Sequence, residues 1–106
     1  MTVEEFKALP EKEKIDLIGW KVMGWTPGSG HMAEWNPIQE MGAAWSVEER
    51  IMGMEGHIQV GYVSALYQLL DIPFDKMMNT GNAIKLIHAS QLNRCIAGLK
   101  AVGVIE

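Results

Sequence analysis

Gly56-His-Ile-Gln-Val-Gly-Tyr-Val-Ser-Ala-Leu-Tyr-Gln-Leu-Leu70 decides the fold, because it satisfies two periodicities at once. Ile58, Val60 and Tyr62 alternate as on a half-buried strand, whereas Val63, Leu66, Tyr67 and Leu70 recur as on one face of a helix. The β-branched and aromatic content favours the strand. Ala83 to His88 then reads as a second strand, related to the first as in a hairpin, with turns at Ile72-Pro-Phe-Asp75 and Asn79-Thr-Gly-Asn82. The expectation is an α+β fold, with helices packed around a small antiparallel β-sheet of two to four strands. Its order is α-α-(β)-α-β-β-α, in a single domain over residues 1–106.

Outward from that segment the helices are more plainly marked. Thr2 with Glu5 three residues later is a capping box for a short first helix, which Leu9-Pro10 interrupts. Pro10 suits the first turn of a second helix, with Glu11 and Glu13 where the macrodipole favours negative charge, running to about Met23. Ile15, Ile18, Gly19 and Val22 share one side of it, with Leu17 and Trp20 nearly opposite. Trp25-Thr-Pro-Gly-Ser-Gly-His31 is a loop by composition, and Trp35 is a short extended piece. Asn36-Pro37 reads as N-cap and first position of a helix to about Met52, with Ile38, Met41, Ala44, Trp45, Ile51 and Met52 on its apolar arc. Glu48 falls inside that arc, where a long carboxylate either reaches water or pairs with a base. Ser90 caps a last helix whose buried stripe is Leu92, Cys95, Ile96, Leu99 and Val102, with Arg94 pointing away and Gly103 ending it.

Composition narrows the class. With 106 residues, 48% apolar and 21% charged, the chain is an ordinary globular domain, small enough that a further interface would add stability. A homo-oligomer is therefore expected. Four Trp and eight Met suit either a packed core or a contact surface. The single Cys95 forms no internal disulfide and supplies no metal-binding pair. The charged start MTVEEFKALPEKEK lacks the apolar core of a signal peptide, and no run approaches the roughly 18 apolar residues of a membrane span. The expectation is a cytoplasmic protein without a membrane partner. A pI near 5.3 and the absence of a Lys/Arg-rich run disfavour general nucleic-acid binding.

Charge is nonetheless unevenly spread. Twelve carboxylates face five bases before Lys76, while from Lys76 onward four bases face only Glu106. Either the two halves attract each other or the acid-free stretch receives an anion. The N-terminus of the last helix offers free N–H groups and partial positive charge, and His88, Ser90, Asn93 and Arg94 surround it. Trp25 or Trp35, or Tyr62 or Tyr67, would stack on a base to complete a nucleotide-sized site. The competing reading is ordinary capping by Ser90, with Arg94 held in a salt bridge.

Catalytic patterns are weak. His31, His57 and His88 have no partner at i, i+4 spacing, so no metal site is expected. Cys95 lies on an apolar stripe, Ser29, Ser46, Ser64 and Ser90 lack a nucleophile-elbow setting, and Gly28 and Gly30 are not followed by Gly-Lys-Ser/Thr. Glu48 and Glu49 are the residual acid/base candidates. No cofactor and no enzymatic activity are expected.

Four motifs carry a resemblance: Leu17-Ile-Gly-Trp-Lys-Val-Met-Gly-Trp25, Glu34-Trp-Asn-Pro37, Gly42-Ala-Ala-Trp-Ser-Val-Glu-Glu49 and His88-Ala-Ser-Gln-Leu-Asn-Arg-Cys-Ile-Ala-Gly-Leu-Lys-Ala-Val-Gly103. The chain resembles the phage ABA sandwich domain family of small bacteriophage and prophage proteins. That resemblance covers about half of the chain and leaves His57 to Lys85 unmatched. It implies helices around a small antiparallel sheet and the cytoplasm of a host cell. By architectural analogy with small phage proteins, it also implies a non-catalytic anti-defence sponge sequestering a nucleotide immune signal, such as a cyclic nucleotide or another phosphorylated small ligand. The alternative is a protein-interaction module that inhibits or redirects a host protein.

Overall fold

The structure, a computed structural model, describes residues 1–26, 30, 33–73 and 80–106. Six helices run through these residues: α1 Val3–Ala8, α2 Glu11–Lys21, α3 Met41–Met52, α4 Gly56–Leu69, α5 Thr80–Ile87 and α6 Gln91–Ala101. No strand occurs among the described residues, so the fold is all-helical. The expected α+β arrangement is overturned, and with it the sheet and the sandwich that the resemblance implied. The expected loop at Pro27, Gly28, Ser29 and His31, and the turn residues Phe74, Asp75 and Asn79, lie outside the described residues.

The decisive segment is α4. A strand would bury Val60 and Tyr62 on one face, but Val60 is 65% exposed and Tyr62 only 2%. Burial instead follows Ile58, Tyr62, Ala65, Leu66 and Leu69, the spacing of one helical face. That face packs on α6, where Gly61 lets the backbones approach: a Cβ there would lie 3.6 Å from the Cα of Ala101. Tertiary packing thus overrides the β-propensity of valine and isoleucine. The second expected strand is α5, where Asn82 and Leu86 turn inward one helical turn apart while Ile84 and Ile87 stay exposed.

The central element is α6. Arg94, Cys95, Ile96, Ala97, Gly98 and Leu99 are all buried, enclosed chiefly by α4 and α3 and then by α2. Gly98 allows the closest of these approaches, since a Cβ would meet Val47 Cγ1 at 3.2 Å. Phe6, Ile18, Val22, Val47, Ile51 and Tyr62 complete the core around it. Each such side chain, fully buried, contributes roughly 1.5–3 kcal/mol.

Helix ends follow the local chemistry closely. The Thr2 hydroxyl accepts from Glu5 N–H at 3.1 Å and the Glu5 carboxylate accepts from Thr2 N–H at 3.0 Å, completing the capping box. Hydrogen bonding to the Glu5 carboxylate by the Thr2 backbone N–H, and then by its side chain, holds that carboxyl below its ordinary pKa. Ser90 Oγ accepts from Asn93 N–H at 3.1 Å and caps α6. At the other end Gly103 takes φ +83°, and bonds from Val104 N–H to Leu99 O and from Gly103 N–H to Lys100 O form a Schellman motif. Asn36 departs from expectation. Its Oδ1 accepts from Ile38 and Gln39 N–H, but this caps a single isolated turn; Glu40 is extended, so α3 starts only at Met41. The buried face of α3 is Ala44, Val47 and Ile51, leaving Trp45 and Met52 exposed rather than inside.

Candidate ligand-binding cleft

The polar centre of the molecule is Arg94. It was expected to point away from the buried stripe, yet it is only 5% exposed. Its guanidinium donates to Glu48 Oε1 at 2.9 Å, to Ala89 O at 3.2 Å, and through Nη2 to Leu86 O and Ile87 O, both at 3.2 Å. Burial is tolerable because these partners are present. The last two carbonyls belong to the C-terminal turn of α5, which an α-helix leaves without internal donors. A cation there also complements the macrodipole. One side chain from α6 therefore ties down the end of α5 and a carboxylate on α3.

Tyr62 adds the fourth helix. Its hydroxyl donates to the same Glu48 Oε1 at 2.8 Å, a charge-assisted bond. Burial, and then the neighbouring carboxylate, push the Tyr62 phenol well above its ordinary value of 10.0, with Arg94 opposing. Both bonds that Glu48 accepts from described residues end on Oε1. The Glu48 side chain is 33% exposed. What it is exposed to is a cleft of about 390 Å³ between α3, α4 and α5.

Glu48, Glu49 and Met52 form the α3 wall of this cleft; Tyr62, Val63, Leu66 and Tyr67 form the α4 wall, and Leu86 closes it from α5. The walls are apolar or aromatic except for the two carboxylates. Helix periodicity explains the set: Glu48 and Met52 are four apart, as are Tyr62 and Leu66, and Val63 and Tyr67. Sequence reasoning named Tyr62 and Tyr67 as ligand contacts and singled out Glu48 and Glu49, but it missed Met52, Val63, Leu66 and Leu86. Reading 56–70 as a helix would have grouped Val63 and Leu66 with Tyr62 and Tyr67.

The other expected site residues do not converge there. His88 and Ser90 are exposed and Asn93 is half-buried near the start of α6, where Ser90 Oγ is occupied by its capping bond. The fourth member of that cluster, Arg94, is turned into the core and held by four bonds. Trp25 and Trp35 pack on each other instead, with ring centroids 4.8 Å apart in an edge-to-face arrangement, and Trp35 Nε1 donates to Ser46 Oγ at 3.1 Å. Cys95 is buried, and burial pushes its thiol up to about 12, so it is a packing residue.

A second, wider groove of about 750 Å³ runs between α2 and the 30–40 segment. Glu11, Asp16, Glu34 and Glu40 line it with Lys12 and Trp35, so the acidic N-terminal half faces outward here as a solvated surface. Among the described residues, no group of three or more His, Cys, Asp or Glu side chains is arranged to hold a metal ion. Nor is any described helix long and apolar enough to cross a membrane. The sequence matches no protein-family model, and comparison with curated proteins and with solved structures returns no match.

Proposed function

We propose that the protein is a non-catalytic binding protein that seats a small, largely apolar ligand in the cleft between α3, α4 and α5. The observation that carries this reading is the cleft itself. It is concave, apolar over most of its wall, within the size range of small-molecule sites, and floored by a fixed polar network rather than by a mobile side chain. Such a floor orients a ligand without chemistry: the Tyr62 proton is held, Arg94 is engaged by four bonds, and Cys95 is remote from ionisation. Capture of a nucleotide is the less favoured form of the same reading. No base among the described residues lines the cleft, and a phosphate at Arg94 would have to displace four existing hydrogen bonds.

A thermal-shift screen of the purified chain against small apolar compounds tests this. A ligand at 100 times its Kd would stabilise by about 2.7 kcal/mol, and Val63→Arg, at the rim, should abolish the shift. Stabilisation that survives Val63→Arg would move the ligand elsewhere. A protein-interaction module is the second reading, favoured by Trp20 and Trp45, which are half-exposed on α2 and α3. A host-protein complex lost in Trp45→Ala and unaffected by Val63→Arg would support it over the first.

A further inference from the structure

We infer that a second copy of this chain covers the mouth of the cleft: the apolar rim formed by Trp45 and Met52 on α3, Val63 on α4 and Ile84 and Ile87 on α5 is a two-fold interface between copies. This goes beyond the ligand reading and does not depend on it, since it concerns the rim of the cleft and not its occupant.

Three observations carry it. The first is where the exposed apolar side chains lie. Trp45 is 54% exposed and Met52 46%, and they flank Glu48 and Glu49 at the i, i+3, i+4 and i+7 spacing of a single face of α3. Met52 and Val63 line the cleft itself, and Leu86 closes it. Next to Leu86 is Ile87, 71% exposed, with Ile84 one turn before it and half-exposed. Three helices thus contribute to one apolar rim around one cleft.

The second observation is the orientation of α5. It turns polar Asn82 inward and leaves Ala83, Ile84 and Ile87 outside. A helix on the surface of a monomer does the reverse, with its apolar stripe against the core. Single exposed apolar residues are ordinary, whereas a buried polar residue opposite an exposed apolar stripe is informative. The outer face of α5 has the composition of a covered one.

The third observation is area. The five rim side chains leave roughly 500 Å² open, near the upper end of the apolar patches that monomers carry. Two copies joined through them would bury roughly 1,000 Å² before any polar edge is counted, which reaches the size required of a specific interface. A second copy suits the patch because it is self-complementary. It sets half-exposed Trp45 beside a concave cleft of about 390 Å³, and a two-fold axis through the rim lays each Trp45 over the partner's cleft. Tryptophan is also among the side chains that most often anchor such contacts.

The experiment is sedimentation equilibrium of the full chain from micromolar to millimolar concentration. A mass rising from 11.8 kDa to twice that value is expected. Association should persist or tighten between about 0.05 M and about 1 M NaCl, because the contact is apolar and salt screens the Glu49 charges beside it. Trp45→Gln and Ile87→Gln should each weaken it about tenfold or more. Both positions are exposed, so urea melts should show the fold intact. Trp20→Gln, at an equally exposed tryptophan on α2, should leave association unchanged. A monomer at every concentration would overturn the proposal. So would a dimer lost at high salt, which would mark attraction between the acidic and basic halves of the chain, or a dimer lost in Trp20→Gln and indifferent to Trp45→Gln and Ile87→Gln.

Discussion

Replacing Arg94 with methionine separates the two roles that an arginine near a helix N-terminus can have. As a ligand clamp, Arg94 would be dispensable for folding and its loss would be felt only in binding. The structure gives it a different role. Arg94→Met keeps an unbranched side chain of similar length but removes the ion pair to Glu48 and three bonds to carbonyls. Breaking a buried pair by removing one partner costs about 3–5 kcal/mol. Glu48 is one-third open, and the carbonyl of exposed Ile87 can be rehydrated, so the lower end of that range applies. A loss of about 3 kcal/mol is a large part of the 5–15 kcal/mol expected of a domain. It should lower the urea midpoint by about 2 M for an m-value near 1.5 kcal/mol/M. Arg94→Lys keeps the charge but not the fork, and should lose about half as much. Glu48→Gln, which retains an acceptor, should cost about 1–2 kcal/mol, and the double variant should show coupling of 1 kcal/mol or more. A stability for Arg94→Met within about 0.5 kcal/mol of the parent protein would refute this account and return the guanidinium to the list of free anion ligands.

Four other expectations follow from particular residues. Stability should be complete below about pH 9 and fall above it, because folded Cys95 and Tyr62 keep protons that the unfolded chain releases near 9.0 and 10.0; the slope is about 1.4 kcal/mol per pH unit for each group once it is past its unfolded value, and alkaline urea melts measure it. Cys95 should resist iodoacetamide at pH 8 in the native protein and react on unfolding; equal rates would contradict its burial. Asp71 holds φ 56° at the end of α4, so Asp71→Gly should raise stability by about 0.5–1 kcal/mol in thermal melts, and a loss would contradict the strained turn. Val60→Lys should cost less than about 0.5 kcal/mol, since Val60 is on the open side of α4; if 56–70 were a strand with Val60 beside Tyr62, the same change would unfold the protein.

Local signals were legible in the sequence where they were local in origin. The Thr2 and Glu5 box, the Ser90 cap and the Gly103 terminator all depend on residues within one or two turns, and each occurs as read. The two supposed strands failed because their burial is decided elsewhere. Nothing within 56–70 distinguishes Val60 outside from Val60 inside; the difference is made by α6, forty residues on, whose small residues at Gly98 and Ala101 let neighbouring helices close in. Arg94 failed for a related reason. On a helical wheel a charged residue beside an apolar stripe reads as exposed, and only the three-dimensional position of Glu48 and of the α5 carbonyls gives it partners inside. Glu48 had a visible flag, a carboxylate within an apolar arc, and the structure supplies the base that this position called for.

The same network explains why the cleft exists at all. Three helices around an apolar space would ordinarily close on it, because every buried methylene contributes about 0.8 kcal/mol. Here α5 is fixed at its C-terminal turn by Arg94, and α3 and α4 are linked through Glu48 and Tyr62, so the spacing of the walls is set by bonds of defined length rather than by side-chain packing. Burying the guanidinium obliges its partners to stay where they are, since any collapse that moved the α5 end would take the Leu86 and Ile87 carbonyls away from it and leave part of a buried charge without partners. Variants of Arg94 should therefore affect ligand binding as well as stability, and should do so indirectly: binding should be lost in proportion to the loosening of α5, and Arg94→Lys should retain more of it than Arg94→Met. A direct contact would instead make both variants equally inactive at temperatures where both remain folded.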